Sequence, residues 1–210
     1  MIVLTAAALA AERQAPSGQP PAGTTLPAQR PANATPTAPG PGGAQRRAVQ
    51  VMTLTSTAWP DGGAVPAKYT QAGEQVSPPL TWGNVPDNTA SFVLIAHDLD
   101  ATVGTGTDDV LHWMLWNIPG ASRSLPEAVP QANQLPDGTR QMSASGPYFR
   151  GPGAPSAGPA HHYVFEIYAL DATLDVPAVG QSPALTRAAV VAAMAGKVRG
   201  KGVYVGLFKR

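Results

Sequence analysis

Apolar residues along the chain fall into short runs separated by Pro- and Gly-rich turns, the punctuation of strands rather than of long helices. Val49, Val51 and Thr53 alternate with Gln50, Met52 and Leu54 and predict a first strand. Trp59-Pro60-Asp61-Gly62-Gly63 reads as a turn. Ser77-Pro78-Pro79-Leu80-Thr81-Trp82 is extended, because each proline disfavours helix at the residue before it. Ser91-Phe92-Val93-Leu94-Ile95-Ala96-His97 has the length of a buried strand. So does the run from Leu111 to Ile118, which Pro119-Gly120 stops. Tyr163 to Leu170 is a third, rich in aromatic and β-branched residues, and Val203 to Phe208 reads as a last strand. Strict alternation along the second run puts His112 on one face with Met114, Trp116 and Ile118, and Leu111, Trp113 and Leu115 on the other. Trp82, Trp113 and Trp116 are expected in the core.

One segment carries a helix pattern. Ser182 is a good N-cap and Pro183 suits the first helical position. The helix runs through Leu185, Ala189, Val190 and Met194, with Gly200 as its expected stop. Short strands, Pro/Gly turns and no alternation of strand with helix predict a mainly β fold, an antiparallel β-sandwich with this one C-terminal helix.

Composition divides the chain. Its 210 residues include 22 Gly and 23 Pro, and no Cys. The absence of Cys excludes a disulfide scaffold, a thiolate metal site and a Cys nucleophile. Residues 12–48 hold many of the prolines among Ala, Gly, Thr and Gln, and no aromatic residue. Such a segment cannot bury enough apolar surface to offset its ordering entropy, so it is expected to be a disordered linker. Residues 1–11, MIVLTAAALAA, are apolar and end in small residues. Ala8-Leu9-Ala10 fits a signal-peptide cleavage pattern, although no Lys or Arg precedes it. The stretch reads as a signal-peptide remnant and predicts export to a periplasm or the outside, with a cytoplasmic location as the alternative. It is too short for a transmembrane segment. The net charge of +1 sums a basic leader and a slightly acidic domain over 49–210, which argues against a nucleic-acid partner.

The candidate chemistry sits at strand ends. His97-Asp98-Leu99-Asp100 ends one strand and His112 opens the next. His161 and His162 open a third, after the Gly151-Pro152-Gly153-Ala154-Pro155 loop. Glycines let backbone N–H groups approach a ligand and prolines stiffen the frame, so this loop beside imidazoles suits an oxyanion. Buried imidazoles need partners, and Asp98 or Asp100 can supply them. His97 is expected on the face opposite Asp98, in a structural role, and His162 is expected in solvent. Asp108-Asp109 reads as a solvated turn bordering the site.

Five segments, Ser77-Pro78-Pro79-Leu80-Thr81-Trp82, Asp98-Leu99-Asp100-Ala101, His112-Trp113, Gly151 to Pro155 and His161-His162-Tyr163, fall in the order and spacing of the phosphatidylethanolamine-binding proteins. The chain resembles most the bacterial branch called Raf kinase inhibitor-like, over about residues 50–210. The resemblance implies a sandwich with Greek-key features and a small pocket for phosphate or phosphorylated head groups. It implies that Asp98, Asp100, His112, Gly151, Gly153, Pro155, His161 and Tyr163 form that pocket. Leu99, Ala154 and His162 depart from the family pattern, replacing a proline, a proline and an arginine.

The expected function is therefore binding of a phosphorylated small molecule or phospholipid head group, without a cofactor and without catalysis. The resemblance also brings a protein partner, a kinase or protease, into view. The alternative from the residues is a metal-dependent hydrolase using His97, Asp98, Asp100, His112, His161 and His162. A serine hydrolase using Ser143 or Ser145 lacks a Gly-x-Ser-x-Gly elbow.

Overall fold

The computed structural model describes residues 48–104, 106 and 108–210. The leader at 1–11 and all but the last residue of the linker lie outside the described residues. Among the described residues ten strands, a 3-10 turn and one helix follow in order. They are β1 (Gln50–Val51), β2 (Thr53–Thr55), β3 (Gly63–Ala64), a 3-10 turn (Ala67–Tyr69), β4 (Leu80–Gly83), β5 (Ser91–Val103), β6 (Asp108–Pro119), β7 (Ser124–Leu125), β8 (Arg140–Met142), β9 (His161–Leu170), α1 (Pro183–Met194) and β10 (Val198–Phe208).

The large sheet has the order β1-β10-β9-β5-β6-β8, and β3 also pairs with β10. Its centre is antiparallel, as expected. Its edge is not: β1 and β3 both run parallel to β10, so the sheet is mixed. The chain passes twice along one edge of β10 in the same direction. Glycines permit the approach: a Cβ at Gly206 would stand 2.5 Å from the Val65 side chain. A small antiparallel sheet, β2-β4-β7, is separate.

Two buried clusters hold these layers. The first joins Met52, Leu54, Leu80, Trp82 and Leu125, in or beside the small sheet, to Phe92, Leu94, Trp113, Leu115, Phe165 and Ile167 of the large one. The second joins Val93, Ile95, Met114 and Trp116 to Val190 and Met194 of α1. Each such side chain contributes roughly 1.5–3 kcal/mol by leaving water. All three tryptophans assigned to the core are buried. Ser182 caps α1 by accepting from the Leu185 N–H, with Pro183 in the first turn. The helix stops at Met194 rather than Gly200, because Gly200 is already paired in β10.

The alternation expected for β6 fails in two places. Trp113 faces Ala96 and Leu111 faces His97, so His112 is an extra residue in the ladder. Leu115 faces Leu94 and Ile118 faces Phe92, so Trp116 and Asn117 together oppose Val93, with Asn117 at φ 58°. These β-bulges re-aim the side chains. Trp113, Leu115 and Ile118 join one cluster, and Leu111, Met114 and Trp116 join the other. His112 therefore does not share a face with Met114 and Trp116; its ring packs edge-on against Tyr163 of the first cluster, 5.0 Å between centroids.

Candidate functional site

The bulge at His112 opens a cleft of about 150 Å³ where β5, β6 and β9 meet the loop after β8. Asp98, His112, Gly153, Pro155, His161 and Tyr163 line it, as do Arg150 and Gln71, which sequence reasoning missed. Asp98 and Tyr163 are register partners on β5 and β9. Gly151 and Asp100 belong to its frame and are not among the lining residues.

Asp98 is 3% exposed and its carboxylate is fully engaged. It accepts from His161 Nδ1 at 2.9 Å and from the Asp100 N–H at 3.0 Å. Beyond Asp98 the strand bulges: Asp98 pairs with Val110 and Thr102 with Asp109, leaving Leu99, Asp100 and Ala101 unmatched. That bulge carries Asp100 to His162, where its carboxylate accepts from the backbone N–H at 2.6 Å and from Nδ1 at 2.8 Å. The His162 N–H and imidazole hold the Asp100 carboxyl below the usual carboxylate range. His162 itself is exposed, as expected.

His112 is 4% exposed, and its Nδ1 lies 2.7 Å from the Arg150 carbonyl. A carbonyl only accepts, so Nδ1 carries the proton and the neutral ring keeps Nε2 as an acceptor. Burial pushes the His112 pKa down, with only partial compensation from that carbonyl and from Asp98. The Arg150 N–H donates in turn to the His112 carbonyl at 2.9 Å, so the two residues are bonded in both directions.

The Gly-rich loop differs from its expected role. The N–H groups of Gly153 and Ala154 donate to the Tyr163 hydroxyl, at 3.2 and 3.0 Å, and so are not free donors for an anion. Burial pushes the Tyr163 hydroxyl pKa up to about 12, and the Asp98 charge adds to this against the lowering by the Gly153 amide. Gly151 is needed for close approach: a Cβ there would lie 2.6 Å from the Tyr69 carbonyl oxygen. Its own carbonyl accepts from Gln71 Nε2 at 2.8 Å, which ties the loop to the turn after residue 69.

His97 points away from Asp98 and takes part in a different cluster. Its Nδ1 lies 2.5 Å from Asp109 Oδ2, and its Nε2 lies 3.4 Å from Glu166 Oε2. Asp109 also pairs with Arg187 of α1, and Glu166 with Lys201 of β10. Asp109 is thus a half-buried ion-pair member rather than a solvated turn; Asp108 is exposed. Burial opposes charge on His97, but Glu166 and Asp109 outweigh it and raise its pKa. His97 and Lys201 take the Glu166 carboxyl down to about 2.

Of the six residues of the hydrolase alternative, Asp98 pairs with His161 and Asp100 with His162, whereas His97 turns to Asp109 and Glu166 and His112 to the Arg150 carbonyl. Among the described residues no three His, Asp or Glu side chains converge as a metal site. Ser143 Oγ donates to the Gly146 carbonyl and Ser145 Oγ accepts from Arg150, so neither serine is engaged by an imidazole.

Known proteins match this fold and sequence. A family model for phosphatidylethanolamine-binding protein matches residues 55–209. A UPF0098 protein of Methanothermobacter thermautotrophicus is 41% identical over 161 residues, covering 76% of this chain and 99% of its own. LppC of Mycobacterium tuberculosis H37Rv, named as a candidate lipoprotein, is 31% identical over 77% of this chain and 74% of its own length. A crystal structure of a phosphatidylethanolamine-binding protein homologue from Chlamydia trachomatis superposes with a TM-score of 0.62 at 27% identity, over 77% of this chain and 99% of that one. The chain belongs to the phosphatidylethanolamine-binding protein family.

Proposed function

We propose that the chain binds phosphate-type anions or phosphorylated head groups, phosphatidylethanolamine-like, in the cleft between β5, β6 and β9. One observation carries this reading: His112, His161 and Arg150 converge on a cleft whose buried carboxylate, Asp98, already accepts hydrogen bonds from His161 and the Asp100 N–H. A volume near 150 Å³ suits a phosphate and is too small for a whole lipid. The scaffold is best taken as a sandwich with Greek-key features, the small sheet covering one face of the large one.

The role is binding rather than catalysis, and a kinase or protease partner would be regulated through access to the cleft. The apolar leader and the name carried by LppC support an exported protein, periplasmic or secreted. No helix among the described residues is long and apolar enough to cross a membrane.

Titration with inorganic phosphate and O-phosphoethanolamine, followed by calorimetry or NMR, tests the reading. Saturable binding that weakens in His112→Ala and His161→Ala is the expected result. No saturable binding at millimolar ligand, with the protein folded, refutes it.

A further inference from the structure

The cleft contains one permanent cation, and nothing about its imidazoles duplicates it. Arg150 is the only Lys or Arg among the lining residues. Its backbone is tied to His112 in both directions, which holds the root of its side chain beside that ring. The guanidinium itself is loosely committed. Nη1 donates to the Ser145 hydroxyl at 2.6 Å, an exposed bond to an uncharged acceptor, and Nε is buried without a partner. Exchanging that arrangement for an anion trades one bond to an uncharged acceptor for bonds to a charged one and relieves an unsatisfied donor. A guanidinium then gains two parallel, charge-assisted bonds to phosphoryl oxygens.

His112 has the opposite character. Its proton is fixed on the Arg150 carbonyl, and the neutral ring offers a lone pair at Nε2. A phosphoryl oxygen without a proton repels that lone pair. A phosphomonoester brings a proton of its own, since its second ionisation falls near pH 6. A phosphodiester has none to give and must draw a proton onto the buried ring from solvent. The other groups facing the ligand do not change this balance. Asp98 is held by His161 and the Asp100 N–H, and the Tyr163 hydroxyl accepts from two backbone amides.

Resting on the anion-binding reading above, we propose that this cleft selects phosphomonoesters over phosphodiesters, with Arg150 as the fixed cation and His112 Nε2 as acceptor of the ester's own proton. The selected class includes free phosphorylated small molecules and phosphorylated side chains, and disfavours the diester head group of an intact phospholipid.

The test compares O-phosphoethanolamine with glycerophosphoethanolamine, which share the ammonium and differ in the second ester bond. Both are titrated by calorimetry near pH 6, where the monoester still carries its proton, against the full chain, Arg150→Gln and Arg150→Lys. The expected wild-type preference for the monoester is tenfold or more. Arg150→Gln weakens monoester binding about tenfold, and Arg150→Lys, which keeps charge but not the fork, recovers part of it. Arg150 is half-buried and its side chain makes one hydrogen bond, to Ser145, so thermal melts of both variants first establish that they fold. Equal binding of the two ligands overturns the selectivity and leaves the anion-binding reading intact. A monoester affinity that survives Arg150→Gln in full overturns the role of Arg150. Failure of both ligands to bind the wild type overturns the reading and the proposal together.

Discussion

Replacing Tyr163 by Phe removes one oxygen from a side chain that is 2% exposed. That oxygen accepts from the N–H groups of Gly153 and Ala154. Its pKa of about 12 keeps the hydroxyl protonated at any working pH, so it serves as a neutral acceptor throughout. Ala154 is 3% exposed, and its amide would be left buried without a partner, at a cost of about 1–3 kcal/mol. Gly153 is half-buried, so water can replace most of its lost bond. The ring and its edge-on packing against His112 remain. The sum is a loss of about 2 kcal/mol, with no cavity to add to it. In urea, with a slope near 2 kcal/mol/M, the unfolding midpoint should fall by about 1 M at unchanged slope. Phosphate affinity should fall with it, because the loop that carries Arg150 and Pro155 loses its anchor to β9. A midpoint within about 0.2 M of the wild type, with unchanged affinity, would show that the hydroxyl does not hold the loop.

Three further outcomes follow from the same geometry. Gly151→Ala should destabilise by about 1–3 kcal/mol, because its Cβ meets the Tyr69 backbone, whereas the Cβ of Gly153→Ala meets the Gln71 side chain, which can give way at the loss of its bond to the Gly151 carbonyl, and should cost less; thermal melts of the pair check the order. His97 has a raised pKa, so its contribution to stability is complete below its unfolded pKa near 6.5 and is lost as pH rises through its folded value. Melting temperature should therefore drop more steeply between about pH 6 and 9 in the wild type than in His97→Gln, and equal slopes would refute the assignment. Since burial lowers the His112 pKa, phosphate binding near pH 7.5 should take up protons, seen as calorimetric enthalpies that scale with the ionisation enthalpy of the buffer; buffer-independent enthalpies would exclude the shared proton.

Much of this was legible before any coordinates. Apolar runs at Ser91 to His97, Leu111 to Ile118 and Tyr163 to Leu170 became the three central strands, because a strand buried on both faces needs no partner-specific signal. Ser182 and Pro183 announced α1 by local chemistry alone. The parallel edge was not legible, since β1 and β3 are two-residue strands whose direction depends on the distant β10. The bulge at His112 was hidden for a related reason: an extra residue in a ladder is defined by its partner strand, and period-two alternation assumes it away. Arg150 carried one signal, its place immediately before the Gly151 loop, whereas Gln71 reaches the cleft from a segment with no local mark of chemistry. The backbone amides of Gly153 and Ala154 pointed to an anion in the sequence, and only the position of Tyr163 reveals that they are already occupied.

The two faces of β5 also divide the work. Asp98 turns into the cleft, while its neighbour His97 sits in a chain of alternating charge, Arg187–Asp109–His97–Glu166–Lys201, that crosses from α1 over β6, β5 and β9 to β10. Those are the strands that position His112, Asp98 and Tyr163, so the ion pairs brace from behind the frame that the ligand meets in front. Glu166 is its centre: its carboxyl at about 2, against 4.5 for the free group, corresponds to roughly 3 kcal/mol above pH 4.5, lost as pH falls toward 2. Glu166→Gln keeps the shape and removes the charge, leaving His97 with Asp109 alone. Stability should fall by up to that amount at neutral pH. Phosphate affinity should fall severalfold although Glu166 does not line the cleft, because β5 and β9 lose the tie that fixes Asp98 against His161. NMR shifts at Tyr163 and His161 would report the same displacement without ligand. A destabilised variant with unchanged affinity and unchanged shifts at those residues would show instead that the ion-pair chain secures α1 and the sheet while the cleft keeps its shape through the His161–Asp98 and Tyr163–loop bonds alone.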